Sequence, residues 1–236
     1  MIRASLALAL TGLAASQGRE PLVRAPFVGC TANGQVGTIA APRSGRAPAL
    51  SARNAARLAY YADTYGSGVL APRGWHCAVM YGSSGSGLIV VPDKVAAKAF
   101  TRLDGKPVRG PFVWAGTSFG GTSGRGSVME AIARYFPTRR DFIQRMRKLD
   151  LVFSPLPTGP YPHDIIRQSA ADYVRLTTPA WRNGEGTGSL IAPNATPVEG
   201  VRRLVGSRDE PDLWGIDVRL PANQADLTRT ILANSK

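Results

Sequence analysis

The sequence predicts an α+β fold: one domain built on a mixed, mainly antiparallel sheet with flanking helices and a single disulfide. Three observations lead there. Strand signals come in short runs separated by Gly, Asn and Pro turns, and they lack the strict strand–helix alternation of a parallel sheet. With 26 glycines, 18 prolines and 44% hydrophobic residues, the composition is globular but rich in turns. No internal repeat appears, and about 220 residues beyond an N-terminal leader suffice to bury one core.

The leader is residues 1–16. Met1-Ile2-Arg3 gives a positive start, Ala4 to Ala15 is almost unbroken apolar sequence, and Ala14-Ala15-Ser16 supplies the small residues a signal peptidase reads. The run is too short to span a hydrocarbon core of roughly 30 Å, and no later segment approaches about 18 apolar residues. The expectation is a periplasmic or secreted protein with residues 17–236 as its domain and no transmembrane segment in the mature chain. In that compartment Cys30 and Cys77 are expected to pair. A reactive thiol beside His76 is the other reading, and it is weakened because strand neighbours point to opposite faces.

Pro21 to Pro48 reads as an extended entry with strands at Phe27 to Cys30 and Gln35 to Ala40, joined as a hairpin through Asn33-Gly34. Ser51 caps a helix predicted through Ala62, with Ala52, Ala55, Ala56, Ala59 and Tyr60 on its apolar face. Val69-Leu70, His76 to Tyr81 and Leu88 to Val91 form the densest strand signal, the last two separated by the Gly/Ser block Gly82 to Gly87. Lys94 to Leu103 is moderately helical, Asp104-Gly105 is a turn, and Val108 to Ala115 is a strand despite Pro111.

A second Gly-rich block, Gly116 to Gly126, leads into the clearest helix, Ser127 to Phe136, where Val128, Ile132 and Tyr135 keep helical spacing. Pro137-Thr138 ends it and starts another, Arg139 to Lys148. Pro155 to Pro162 is a proline-rich loop. Strands at Tyr173 to Thr177, Val201 to Val205 and Leu213 to Leu220 precede a helix from Asn223 to Ala233.

Two motifs bear on chemistry. Gly116-Thr117-Ser118-Phe119-Gly120 matches the G-x-S-x-G nucleophile elbow, with a strand before it and a helix after it. Over about fifteen residues this resembles the serine hydrolases of the α/β-hydrolase class. The resemblance implies Ser118 as nucleophile, His163 as base, and Asp150 or Asp141 as the orienting acid. Against it, no His-Gly-Gly-Gly oxyanion segment lies upstream, and the helix starts several residues late. Trp75-His76-Cys77 with Ser84 has a faint likeness to chymotrypsin-like proteases, but the histidine and serine sit on one hairpin rather than in two barrels.

The second motif is the stretch Gly116 to Ser127, where backbone N–H groups at a helix start, with Thr122, Ser123, Gly124 and Arg125, can receive an anion. Helix capping by Ser123 or Ser127 is the plainer account. A nucleotide loop is excluded, because Thr122 stands where the phosphate-binding Lys is needed, and no cofactor is implied. Two histidines give no zinc set, and Asp209-Glu210-Pro211-Asp212 lacks the spacing of a calcium loop, so no metal is expected. Tyr60, Tyr61, Tyr65, Trp75 and Tyr81, near Arg57 and Arg73, either line a ligand surface or fill the core.

The formal charge of +13 is carried mostly by arginine, with 23 Arg against five Lys beyond the leader. Such a field draws polyanions: an anionic envelope polymer, a lipid headgroup or an acidic protein, with no specific nucleic acid expected outside the cytoplasm. The same charge also serves solubility. The segments Leu70-Ala71-Pro72-Arg73-Gly74-Trp75-His76-Cys77, Tyr81-Gly82-Ser83-Ser84-Gly85-Ser86 and Thr122-Ser123-Gly124-Arg125 resemble, in order and spacing, a group of small exported bacterial proteins of unassigned activity. The resemblance implies an exported single domain and no particular substrate. The leading expectation is a non-catalytic basic domain binding an anionic ligand or partner, with Thr122 to Arg125, Arg73 and Trp75 as the contact residues; the alternative is the Ser118 hydrolase.

Overall fold

The computed structural model describes residues 21–64, 68–94, 97 and 106–234. The leader, Tyr65, most of the helix expected at Lys94 to Leu103 and the turn at Asp104-Gly105 lie outside them. The architecture is α+β, as the strand-rich pattern predicts. Its centre is a nine-stranded sheet in the order β11-β12-β13-β14-β10-β9-β8-β3-β4. These strands are β3 (Ala32–Gly34), β4 (Gly37–Ile39), β8 (His76–Gly82), β9 (Gly85–Val91), β10 (Phe112–Ser118), β11 (Ile165–Ala170), β12 (Tyr173–Thr178), β13 (Val198–Gly206) and β14 (Pro211–Arg219). Every neighbouring pair is antiparallel except β3 with β8.

Two smaller sheets cover part of one face. β2 (Phe27–Gly29), β6 (Leu58–Ala62) and β7 (Gly68–Pro72) make a three-stranded sheet, and β1 (Leu22–Arg24) pairs with β5 (Ala49–Ser51). With α1 (Ala52–Arg57) and α4 (Leu227–Ala233) they enclose a core against Val79, Leu88, Val90, Val113, Ala115, Val201, Ile216 and Val218 of the large sheet. These residues alternate along their strands, as a face buried on a pleated sheet requires. The opposite face carries α2 (Arg125–Tyr135) and α3 (Arg140–Lys148), whose Val128, Ile132, Phe136 and Phe142 pack on Val174, Leu176 and Leu204.

The Cys30–Cys77 disulfide forms as expected, with Cα atoms 5.5 Å apart. Cys30 follows β2 and Cys77 lies in β8, so the bond ties the small three-stranded sheet to the large one.

Several elements differ from their sequence reading for identifiable reasons. The helix begun by Ser51, whose hydroxyl accepts from the Asn54 N–H, ends at Arg57, and Leu58–Ala62 is strand β6. Leu58, Ala59, Tyr61 and Ala62 are all buried between β2 and β7, so tertiary burial overrides the alanine-rich helical pattern. The N-terminal hairpin turns at Gln35-Val36 rather than Asn33-Gly34. Gly37 supplies the positive φ there, while Gly34 is needed because a Cβ would lie 2.1 Å from the Tyr81 carbonyl oxygen. Phe27–Gly29 belongs to the other sheet, parallel to β6.

The strand expected at Val108 to Ala115 starts at Phe112, after Pro111, and runs on to Ser118, absorbing the first glycine of the second Gly-rich block. The C-terminal helix begins at Leu227 after a 3₁₀ turn at Ala222–Gln224. β11, an edge strand exposed along its length, has no buried face to leave a hydrophobic alternation and was not legible.

Candidate functional site

The site begins with glycines that pair across three strands. Gly116 of β10 stands opposite Gly87 of β9 on one side and Gly215 of β14 on the other. This row removes side chains from one band of the helix-bearing face, and two large residues fill the space. The Trp114 indole lies against Gly116 and Gly87: a Cβ on Gly116 would approach the six-membered ring to 2.4 Å, and one on Gly87 would come within 3.1 Å of Nε1. Arg202 crosses Gly215 from the next strand, its Cδ 3.0 Å from where that Cβ would stand. Glycine inside a strand marks such a close approach.

Beside the indole is a groove of about 600 Å³. The two Gly/Ser blocks of the sequence, far apart along the chain, meet around it. The β8–β9 turn at Ser83-Ser84 docks on the segment entering α2: the Phe119 N–H donates to the Ser84 carbonyl at 3.0 Å, the Thr122 hydroxyl donates to the Ser83 carbonyl, and the Ser83 and Ser123 hydroxyls lie 3.1 Å apart. Gln35 secures the turn from β3's side, accepting from the Ser83 N–H at 3.0 Å. Gly124 must be glycine, since a Cβ would lie 2.0 Å from the Ser84 carbonyl oxygen.

Ser84, Ser118 and Ser127 line this groove with hydroxyls that have no partner among the described residues. The lining holds no carboxylate, histidine, lysine or arginine among the described residues. Arg125 stands just outside, at a neighbouring groove that shares Ser123 and Ser127. Its Nε donates to the Thr122 carbonyl at 2.7 Å, and among the described residues no carboxylate pairs with its guanidinium.

Thr122, Ser123, Gly124 and Arg125, consecutive in the chain, form the segment that enters α2 beside the two grooves. Arg73 and Trp75 are not with them. They occupy the β7–β8 turn, at the far end of β8 from Ser83-Ser84, about 20 Å away at roughly 3.4 Å per strand residue. There the Arg73 N–H donates to the Arg57 carbonyl, and the carbonyls of Pro72 and Trp75 accept from the buried Tyr61 hydroxyl. Tyr61 fills the core rather than a ligand surface.

The Ser118 triad is not assembled. Ser118 ends an antiparallel strand, opposite Leu213 and Gly85, instead of sitting at a strand-to-helix elbow. His163 is exposed and precedes Asp164, which accepts from Thr178 at the other end of the sheet, level with Phe112. Six strand residues, about 20 Å, separate that level from Ser118. Asp141 is held by Arg208 and Arg145, and the Arg208 guanidinium keeps its carboxyl below the usual range.

Asp150 has a backbone role. It ends α3 with φ +53, its N–H donating to the Arg147 carbonyl and that of Leu151 to the Met146 carbonyl. This is a Schellman cap with aspartate where glycine is preferred. Asp150→Gly is expected to raise stability by about 1 kcal/mol, read as a higher urea midpoint; an unchanged or lower midpoint would count against the assignment.

Sequence reasoning missed a buried ionic cluster behind the indole. Arg202 grips Asp217 with Nη1 and Nη2 at 3.0 and 2.8 Å and donates from Nε to Glu185 at 2.7 Å. The Tyr135 hydroxyl lies 3.1 Å from Glu185 and 3.3 Å from Asp164, and Asp164 also accepts from Thr178 and the Glu185 N–H. One guanidinium thus holds two carboxylates, and Asp164 joins the cluster through Tyr135 and the Glu185 N–H. Burial pushes Asp217 up to about 6 despite Arg202. Burial, then Glu185 and Asp164, raise the Tyr135 phenol. Burial opposes the charge on Arg202, but Asp217 and Glu185 outweigh it and the guanidinium stays protonated. The signal was present in Gly200 and Gly215, where a Cβ would crowd Asp217 and Arg202.

Among the described residues no group of three or more His, Cys, Asp or Glu is placed to hold a metal ion, and no helix is long and apolar enough to cross a membrane. No protein-family profile, curated protein or solved structure matches the chain.

Proposed function

We propose that the chain is an exported basic domain that binds an anionic ligand at the cell envelope, in the groove between the β8–β9 turn and the start of α2. The observation that carries this reading is the meeting of two separate Gly/Ser blocks around unpartnered hydroxyls, with an unpaired Arg125 at the rim. Two of the three motifs shared in resemblance with exported bacterial proteins, Tyr81 to Ser86 and Thr122 to Arg125, form this junction. The first turn of α2 adds the partial positive charge of a helix N-terminus. The N-terminal leader supports export, and the disulfide accords with an oxidising compartment. A hydrolytic reading lacks a base, since no histidine or carboxylate among the described residues reaches Ser118.

The test is binding of inorganic polyphosphate to the purified, oxidised protein across a salt series. Affinity is expected to fall with salt, and Arg125→Ala to weaken it about tenfold, the value of one charge-assisted contact. Arg229→Ala, an exposed cation on α4 at the other face, is the control and is expected to change little. Equal losses in both variants would replace a site with diffuse charge attraction.

A further inference from the structure

Resting on that reading, we infer that the ligand is an acidic saccharide, with a sugar ring held against Trp114 and its acidic group held by Arg125. The groove is unlike a simple phosphate or sulfate site. Its lining carries no ionised side chain among the described residues, so most of what it receives is uncharged. What it offers is an aromatic plate and hydroxyls. The indole is supported from beneath by the backbone of Gly87 and Gly116, which leaves it no side chain to tilt over. Its N–H has no hydrogen-bond partner among the described residues.

A flat apolar surface with a donor at its edge, ringed by Ser84, Ser118 and Ser127, matches a pyranose, which has apolar C–H faces and a rim of hydroxyls. The volume of about 600 Å³ admits more than one ring. The neighbouring groove, which shares Ser123 and Ser127, is lined by Arg125, so a carboxylate or phosphate on the next sugar meets a guanidinium whose Nε is held by the Thr122 carbonyl and which pairs with no carboxylate among the described residues. The other arginine of that neighbouring groove, Arg134, is engaged by Glu130 and stacked 3.7 Å over Tyr161. Arg202, which crosses Gly215, also approaches the ring, its guanidinium carbon 5.9 Å from the Trp114 centroid.

The experiment titrates the full oxidised protein with a uronic-acid oligomer, the neutral oligosaccharide of the same length, inorganic polyphosphate and a single-stranded oligonucleotide, following binding by calorimetry and tryptophan emission. The uronate oligomer is expected to bind best and to change the emission. Trp114→Ala should weaken it about tenfold or more, with Trp114→Phe, which keeps a ring on the glycines, intermediate and without the emission change. Arg125→Ala should weaken the uronate and leave the neutral oligomer as before. Uronate affinity unaffected by both Trp114 variants overturns the inference, as does tighter binding of the oligonucleotide. Polyphosphate binding that depends on Arg125, with no uronate binding, overturns it while leaving the anion site standing; binding of none of the anions removes both.

Discussion

Replacing Arg202 with methionine is expected to cost about 3–5 kcal/mol of folding stability, the largest effect of any single substitution considered for this chain. The side chain is buried between Asp217 and Glu185, and both lose their counter-charge without gaining access to water. The pH dependence identifies the cause. Asp217 already titrates at about 6 in the folded protein, above its ordinary 3.8. The native state therefore binds a proton more readily than the unfolded chain, and this group costs stability as pH rises through its folded value. Without Arg202 the carboxylates move higher still. The deficit of Arg202→Met should be greatest near pH 8 and shrink as pH falls through 6 toward 4. Urea unfolding at several pH values reads this directly, and a loss under about 1 kcal/mol, or one independent of pH, would refute the network's structural role.

Removing the disulfide, by Cys30→Ser with Cys77→Ser or by reductant, is expected to cost about 4 kcal/mol. The cysteines are 47 positions apart, and closing a loop of that size in the unfolded chain accounts for a stabilisation of this order. The two sheets joined by the bond share one core, in which Cys30 is buried beside Ala32 and Val79. The unfolded state should gain most of the freedom while the native packing changes little. Urea midpoints with and without reductant measure the cost, and a wild-type protein indifferent to reductant would contradict it.

The strands that carry the site were legible because their residues alternate between a filled face and a lined one. His76 to Tyr81, Leu88 to Val91 and Leu213 to Leu220 announce a central sheet, and the interruptions between them mark its turns. The convergence of the two Gly/Ser blocks was not legible, because it depends on β10 standing beside β9, a pairing that local sequence does not encode. Gly87 and Gly116 belong to the Gly-rich blocks of the sequence, yet like Gly200 and Gly215 they lie within strands, and the four make room for Trp114, Arg202 and Asp217. The G-x-S-x-G pattern misled for the same reason. Gly116 serves the indole and Gly120 a close approach to the Pro211 carbonyl, so neither glycine is there to bend the chain at Ser118. Asp150 was read for its carboxylate when its backbone conformation is what places it.

The strand order also orders events in time. Both cysteines and β1 to β9 belong to the first part of the chain, whereas β10 has β9 on one side and on the other β14, drawn from close to the C-terminus. The N-terminal part can be covalently closed before its partner across β10 has been synthesised, but the row Gly87–Gly116–Gly215 exists only once the end of the chain has returned to the middle. The ion cluster, which takes Arg202 from β13 and Asp217 from β14, is thus completed late, whereas the groove is lined by β10, by the strands before it, by the start of α2 and by Leu190, and the Trp114 ring needs only β9 and β10 beneath it.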